Sequence, residues 1–279
     1  MSRATKSPRH KVTGLNKNYL ALRKLAVNSG VELFGVAGIK EIKNDFALAK
    51  KVLDKFDKAI SLGVRLSSSV LEEIENAPTK LYFYHYKTAN ALLDQLTLKV
   101  ANFIQQKGFL ALPIPASQIV DWQKQTGHLS HKKIGELAGL GWIGRNNLLV
   151  NKNLGSQFRL STILTDMPLR LDSPTKENCG NCRSCVIMCP AGAIKENPPD
   201  FDRIKCLEKL KEFQKQRLVD QYICGVCVNA CGGKKNSKKN TQYQYRGGLI
   251  CFSDFYLKTV IFSTFLINKL ILLLMPLST

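Results

Sequence analysis

At 279 residues the chain has room for one large domain or two ordinary ones, and an apolar fraction of 44% allows a sizeable core and excludes a disordered protein. Its 41 Lys and Arg against 21 Asp and Glu leave a formal charge of +20, which suits an anionic partner such as RNA, an acidic redox protein or a membrane surface, or else a solvated basic face. Nine cysteines behind a polar, basic start with no apolar leader argue against a secreted disulfide framework, and the chain reads as cytoplasmic.

Residues 1–14 read as a disordered basic arm; from Met1 to Val31 there is no acidic residue, while Arg3, Lys6, Arg9, Lys11, Lys17, Arg23 and Lys24 are basic. Leu15 to Ser29 predicts a helix, with Leu15, Tyr19, Leu22, Leu25 and Ala26 at helical spacing and Gly30 as the stop. Val31 to Val36 predicts a short strand. Asp45 to Leu62 reads as an amphipathic helix with Ala49, Val52, Leu53 and Phe56 on one face. Tyr82 to Lys107 has the length and period of a long helix ending at Gly108, and Phe109 to Ile114 is strand-like. His131 to Leu140 predicts a short helix. Strands are expected at Leu148 to Asn151 and Phe158 to Thr165, separated by a turn at Asn153, Gly155 and Ser156. Residues 15–172 therefore read as a layered α+β domain. Cysteines begin only at Cys179, after a loop containing Pro174, and mark a second, smaller domain over 173–233.

The strongest signal is CGNCRSCVIMCP at 179–190, whose C-x2-C-x2-C-x3-C-P spacing is that of the bacterial ferredoxins. Three thiolates two residues apart can wrap one cubane, and the fourth belongs to the other cluster. A second set, Cys224, Cys227 and Cys231, is completed by Cys206 upstream. The expected ligands are Cys179, Cys182, Cys185 and Cys231 for one [4Fe–4S] cluster and Cys189, Cys206, Cys224 and Cys227 for the other. Pro190 ends the first run, whereas Gly232 stands where the second would have its proline. The alternative is structural zinc, which prefers two Cys pairs separated by a longer loop and is poorly served by four cysteines within eleven residues. Cys251 is left over as a free thiol.

The stretch LAGLGWIGRNNLLVNKNLGSQFRLSTILTDMPL at 137–169, followed by the cysteine array, resembles the epoxyqueuosine reductases over roughly residues 110–231. The resemblance implies a nitroreductase-like cobalamin domain, followed by a small ferredoxin-like two-cluster domain, that reduces an epoxide on a tRNA wobble nucleoside; the reductive dehalogenases share the plan more distantly. It further implies that Gly141, Trp142, Ile143, Gly144, Arg145 and Asn146 line a corrinoid. Glycines permit close backbone approach to a flat macrocycle, and Arg145 and Asn146 can bond its amides or phosphate. The other reading of this loop is a tight turn that packs Trp142 into the core.

The chain departs from the pattern where the family has Asp-Ser-x-Pro, whose aspartate is implied to be a proton donor: that position falls on Gln125. Asp121, His128 and His131 remain as candidate catalytic acids, histidine being suited to proton transfer near neutrality; either histidine is equally suited to capping a helix start. Asp166 is a further candidate, its other role being to cap the turn before Pro168. Past Cys231 come a basic stretch (Lys234, Lys235, Lys238, Lys239, Arg246) and the mostly apolar Val260 to Met275, shorter than the roughly twenty residues a spanning helix needs and interrupted by Asn268 and Lys269. The 234–279 tail is open to reading as an interfacial anchor, a helix packed on the body, or an unselected extension.

The function these features imply is an iron–sulfur oxidoreductase fed by an external low-potential electron donor, with two clusters, a corrinoid or substrate in the first domain, and tRNA as a partner. The alternatives are a ferredoxin-like electron carrier without turnover of its own and a membrane-associated redox subunit.

Overall fold

The computed structural model describes residues 8–121 and 125–233. What the sequence implies for residues 1–7 and for the 234–279 tail, Cys251 included, falls outside the described residues.

Helix α1 (Pro8–Asn28) begins inside the stretch read as a disordered arm, and buries Tyr19, Leu22 and Ala26 at helical spacing. Strand β1 (Leu33–Gly38) follows. The helix expected from Asp45 to Leu62 is not present. A 3₁₀ turn (Lys43–Asp45) and the one-turn helix α2 (Lys50–Leu53) lead into a strand, β2 (Lys58–Arg65). The physical reason is that β2 lies inside the sheet with both faces covered. Ala59 through Val64 are all buried, so the run shows no alternation of apolar and polar residues and its period is uninformative.

Helix α3 (Ser68–Glu72) precedes the long α4 (Lys80–Gln106), whose first turn is capped by Thr79 Oγ1 accepting from the Tyr82 amide at 3.1 Å. Strand β3 (Ala111–Ile114), helix α5 (His131–Leu137), the small hairpin β4 (Trp142–Ile143) and β5 (Leu149–Val150), and strand β6 (Phe158–Thr165) complete the body. Three helices, α6 (Ser184–Met188), α7 (Arg203–Lys215) and α8 (Val226–Asn229), carry the cysteine region.

The main sheet is antiparallel throughout, in the order β1-β2-β6-β3. Its pleat sorts side chains between two cores. Val36, Ile60, Leu62 and Ile163 pack with Leu22 of α1 and Leu93, Leu96 and Val100 of α4. Ala37, Ala59 and Leu164 face the other way, onto Ile134 and Ala138 at α5. Burying a side chain such as Leu93 completely stabilises the fold by about 1.5–3 kcal/mol. A third core joins α3 and α4 to the cysteine region through Leu71, Ile74, Tyr82, Val219, Ile223 and Val226. Helices and an antiparallel sheet thus form an α+β fold. Among the described residues no helix is long and apolar enough to cross a membrane.

The closest approach of α5 to the sheet is at Gly35, where an added Cβ would collide with the Ala138 carbonyl oxygen and lie 3.0 Å from Leu140 Cδ2. A backbone oxygen cannot rotate away. Gly35→Ala is therefore expected to cost about 1–3 kcal/mol and to lower the midpoint of thermal unfolding, followed by circular dichroism, by several degrees. An unchanged midpoint would show that α5 does not seat on β1 as described.

Candidate functional site

The eight described cysteines are all free thiols. They fall into two groups by proximity. Burial pushes the Cys185 thiol up to about 12, and its thiol neighbours are Cys231, Cys179 and Cys182, whose charges would repel its own. Burial likewise pushes Cys224 up to about 11, with Cys206 and Cys189 beside it. Cys227 is raised well above its ordinary value by burial and then by Cys224, Cys206, Cys185 and Cys189. The neighbours of Cys231 are Cys179 and Cys182. Cys185 and Cys227 bring the two groups side by side where α6 meets α8. Such thiols ionise at neutral pH only if a cation shares the site, which is the condition for metal ligation. Among the described residues no three His, Cys, Asp or Glu side chains stand close enough to hold a single metal ion. A cubane puts each thiolate on its own iron, so its four ligands stand farther apart than the donors of one ion.

The body clasps this region through the loop expected to line a corrinoid. Arg145 Nε donates to the Glu196 carbonyl at 2.7 Å, Nη1 to the Cys182 carbonyl at 2.9 Å and Nη2 to the Gly180 carbonyl at 3.0 Å. Trp142 Nε1 donates to Cys179 Sγ at 3.3 Å. Asn146 is buried, its amide donating to Ser156 Oγ at 3.2 Å and its oxygen accepting from the Leu148 amide. An added Cβ on Gly141 would run into the Val150 carbonyl, one on Gly144 would come 3.4 Å from Cys179 Sγ, and Ile143 pairs with Leu149 in the hairpin. Trp142 and Arg145 of the loop expected to line a corrinoid thus hold the cysteine loop in place.

Two further contacts secure the second cysteine run. The Ser156 amide donates to the Cys231 carbonyl at 3.0 Å, across the point where Gly155, at φ +60°, leaves no room for a side chain. Gln157 Nε2 donates to the Asn229 carbonyl at 3.1 Å, and Asn229 Nδ2 to the Ile74 carbonyl at 2.9 Å.

The candidate acids scatter. His131 is fixed between the Pro115 carbonyl, 3.0 Å from Nε2, and Thr162 Oγ1, 2.8 Å from Nδ1. A carbonyl only accepts, so Nε2 carries the proton and Nδ1 accepts from the threonine. Burial, with repulsion from Arg159, pulls its pKa down to about 4, so the ring is neutral at pH 7 and its one N–H is committed to the Pro115 carbonyl. His128 Nδ1 meets the Ala47 carbonyl at 3.2 Å on the surface. Asp121 makes an isolated bridge with Thr126. Asp166 Oδ1 accepts from the Leu110 amide at 2.7 Å, tying β3 to the end of β6 rather than serving a site.

A cleft of about 630 Å³ opens between the 125–132 segment and α7. Its lining includes Asp45, Gln125, Ser130, Lys132, Asn147, Arg203 and Cys206, so a thiol of the second cysteine set forms part of its wall. Gln125, at φ +52°, stands here. Lys132 Nζ donates to the carbonyl and to Oδ1 of Asn147, at 2.7 and 2.6 Å. Sequence reasoning missed Lys132, Asn147 and the whole of α7. No sequence signal separates Lys132 from Lys133, because Glu136 lies four residues from one and three from the other; the structure pairs it with Lys133 at 2.8 Å.

No family model matches the chain. Among curated proteins it is 33% identical over 126 residues to epoxyqueuosine reductase from Escherichia coli K12, a match covering 41% of this chain and 32% of that one. It is 26% identical over 269 residues to the epoxyqueuosine reductase of Cyclobacterium marinum, covering 82% of this chain and 83% of the relative. The matched part thus spans about a third of the length of the E. coli relative and most of the C. marinum one. Among solved structures, epoxyqueuosine reductase from Streptococcus thermophilus superposes with a TM-score of 0.56 at 20% identity, over 76% of this chain and 65% of that one. A catabolic reductive dehalogenase superposes with a TM-score of 0.56 at 18% identity, over 66% of this chain and 26% of that one, which at this identity speaks for the fold. In sequence the chain is thus similar to the epoxyqueuosine reductases, and in fold to both them and the reductive dehalogenases.

Proposed function

We propose that the chain is an iron–sulfur reductase of the epoxyqueuosine reductase type, residues 15–172 forming a nitroreductase-like reductase domain and 173–233 a ferredoxin-type domain for two [4Fe–4S] clusters. The observation that carries this reading is the pair of crossed four-thiol sets, one of which reaches the wall of a cleft in the body through Cys206. Bound clusters supply single electrons at low potential. Cys182 of the first set is exposed, which suits it to face an external donor, and the second set adjoins the cleft, so the route runs from donor to first set to second set to substrate.

Names of the relatives support the substrate and second cofactor. One neighbouring structure is of epoxyqueuosine reductase with an epoxyqueuosine-modified tRNA stem loop, and a reductive dehalogenase neighbour is described as B12-dependent. The charge of +20 favours attraction to phosphates whatever their sequence. Gln125, Thr126 and Ser130 give the cleft donors and acceptors suited to the amide-fringed edge of a corrinoid, and these residues would hold one there. A corrinoid supplies a strongly reducing, nucleophilic metal centre.

Protein made without oxygen, supplied with cobalamin and desalted, is expected to hold about eight iron and one cobalt per chain by elemental analysis, and C227A to lose iron from the second set. About eight iron with no cobalt and no turnover would return the electron-carrier alternative, and full iron in C227A would overturn the ligand assignment. R145A removes three donors from the cysteine loop and is expected to release iron to a chelator several-fold faster than the native chain, with R145K in between because an ammonium cannot reproduce the planar fork. Equal release rates would show that the clasp does not hold the first set.

A further inference from the structure

Reducing a carbon–oxygen bond needs protons as well as electrons, and the three acids suggested by the sequence do not stand ready in the cleft. His131 has committed its N–H, His128 meets Ala47, and Asp121 is not among the lining residues. Of the side chains that do line it, the Gln125 amide releases no proton near neutrality, Arg203 keeps its proton, Cys206 is assigned to a cluster, and Asp45 is a solvent-exposed carboxylate.

We propose that Lys132 is the proton donor of the cleft, giving an Nζ proton to the oxygen that leaves when a carbon–oxygen bond of the bound epoxide is reduced. The inference rests on the reductase reading above. The balance closes as follows: two electrons from the external donor and two protons convert the epoxide to an alkene and water. Both carbon–oxygen bonds break, Lys132 delivers one proton, and solvent water supplies the second and reprotonates the amine.

The geometry is specific to this role. Nζ is pinned by two acceptors on one residue, Asn147 O and Oδ1, which consumes two of its three N–H groups on the side of the hairpin and keeps the amine at one place on the cleft wall. Asn147 itself sits at φ +57°, a left-handed position that asparagine tolerates and that turns both of its oxygens onto the lysine. The charged and titratable groups around the amine are Arg203 and Cys206 from α7, Asp45 from the 3₁₀ turn, and on its own helix the neutral His131 and the paired Lys133 and Glu136. Burial lowers the ammonium to about 8, with repulsion from Arg203 adding to it. An acid of that strength is mostly protonated at neutral pH and still gives up its proton readily. Asn147 is its positioning residue.

The test is single-turnover reduction of an epoxyqueuosine-modified tRNA stem loop by the cluster- and cobalamin-loaded full chain, comparing the native protein with K132Q and K132R. Both variants are expected to keep native iron and cobalt content and stem-loop affinity and to react at least about a hundredfold more slowly, arginine holding its proton too tightly to replace lysine. The acid is present below its pKa, so the native rate should fall as pH rises through about 8, and K132R should lack that inflection. Competitive acetylation with acetic anhydride, read by mass spectrometry, follows Lys132 without turnover: its reactivity should inflect near 8, and lower in N147G, which keeps the left-handed backbone and loses one acceptor. A K132R rate within about threefold of native, or a labelling inflection near the ordinary lysine value of about 10.4, overturns the proposal. A fully loaded native protein that binds the stem loop and never reduces it overturns the reductase reading and takes the proton-donor role with it.

Discussion

The cysteine region depends on a single guanidinium. Between Cys179 and Cys185 the chain has no regular structure until α6 begins, and its backbone carbonyls point outward from the loop that gathers three thiols. Arg145 collects the carbonyls of Gly180, Cys182 and Glu196 with three donors of one rigid plane, and so fixes the loop's curvature without any apolar packing. Lysine, a point charge on a flexible stem, has no equivalent. The Arg145–Glu196 ion pair at 3.7 Å adds little by itself, because Glu196 is half exposed. What matters is that the arginine comes from the body and its acceptors from the cysteine loop. Trp142 and Ser156 repeat the pattern, one donating to a sulfur and the other to the Cys231 carbonyl. Donors aimed at ligating sulfurs are among the means by which a protein tunes a cluster's potential, so with the proposed cluster in place the clasp would set electronics along with shape.

Strand β6 is what delivers these donors together. It pairs with β2 and β3, and both α4 and α5 pack on it. The turn that leads into it supplies Ser156 and Gln157 to the second cysteine run; its far end passes through Asp166 and Asp172 toward Cys179. Asp172 accepts from Tyr19 Oη at 2.9 Å and from the Val36 amide at 2.9 Å, which anchors that exit to α1 and β1. Because side chains alternate along a strand, a slip of one residue in β6 would exchange Ile163 with Leu164 between the two cores and move both ends of the cysteine region at once.

How much of this was legible in the sequence follows from which interactions are local. Helix α4 is readable because its period and cap lie in the segment itself, and strand β6 because the turn at Asn153, Gly155 and Ser156 marks its start. Strand β2 was misread because burial on both faces erased its alternation; only the neighbouring β1 and β6 tell a central strand from a helix at that length. The loop at Gly141–Asn146 is legible as a tight glycine-rich turn, but its contacts with the cysteine loop are not. Nothing in Arg145 says that its acceptors are carbonyls 35, 37 and 51 residues away. Lys132 was passed over for His131 because residue type suggests reactivity, whereas burial decides it: the histidine is made neutral and inert, and the lysine is brought into a useful range.

The cleft joins these threads electrostatically. With its ammonium charged, Lys132 and Arg203 outweigh Asp45, so the site is cationic beside a thiol set that the proposed cluster ligation would make anionic. If the second set carries the proposed cluster, an electron arriving there would add negative charge close to Lys132 and raise its affinity for a proton, and an electron leaving for substrate would lower it again. The amine therefore holds its proton while the set is reduced and releases it as the charge passes on. A carboxylate at the position of Gln125 would respond in the same sense from a negative starting point, repelling the incoming electron instead of attracting it. Replacing it by a neutral amide and leaving the proton to a lysine makes the cleft friendlier to charge and to phosphate at once, which agrees with the basic character of the chain as a whole.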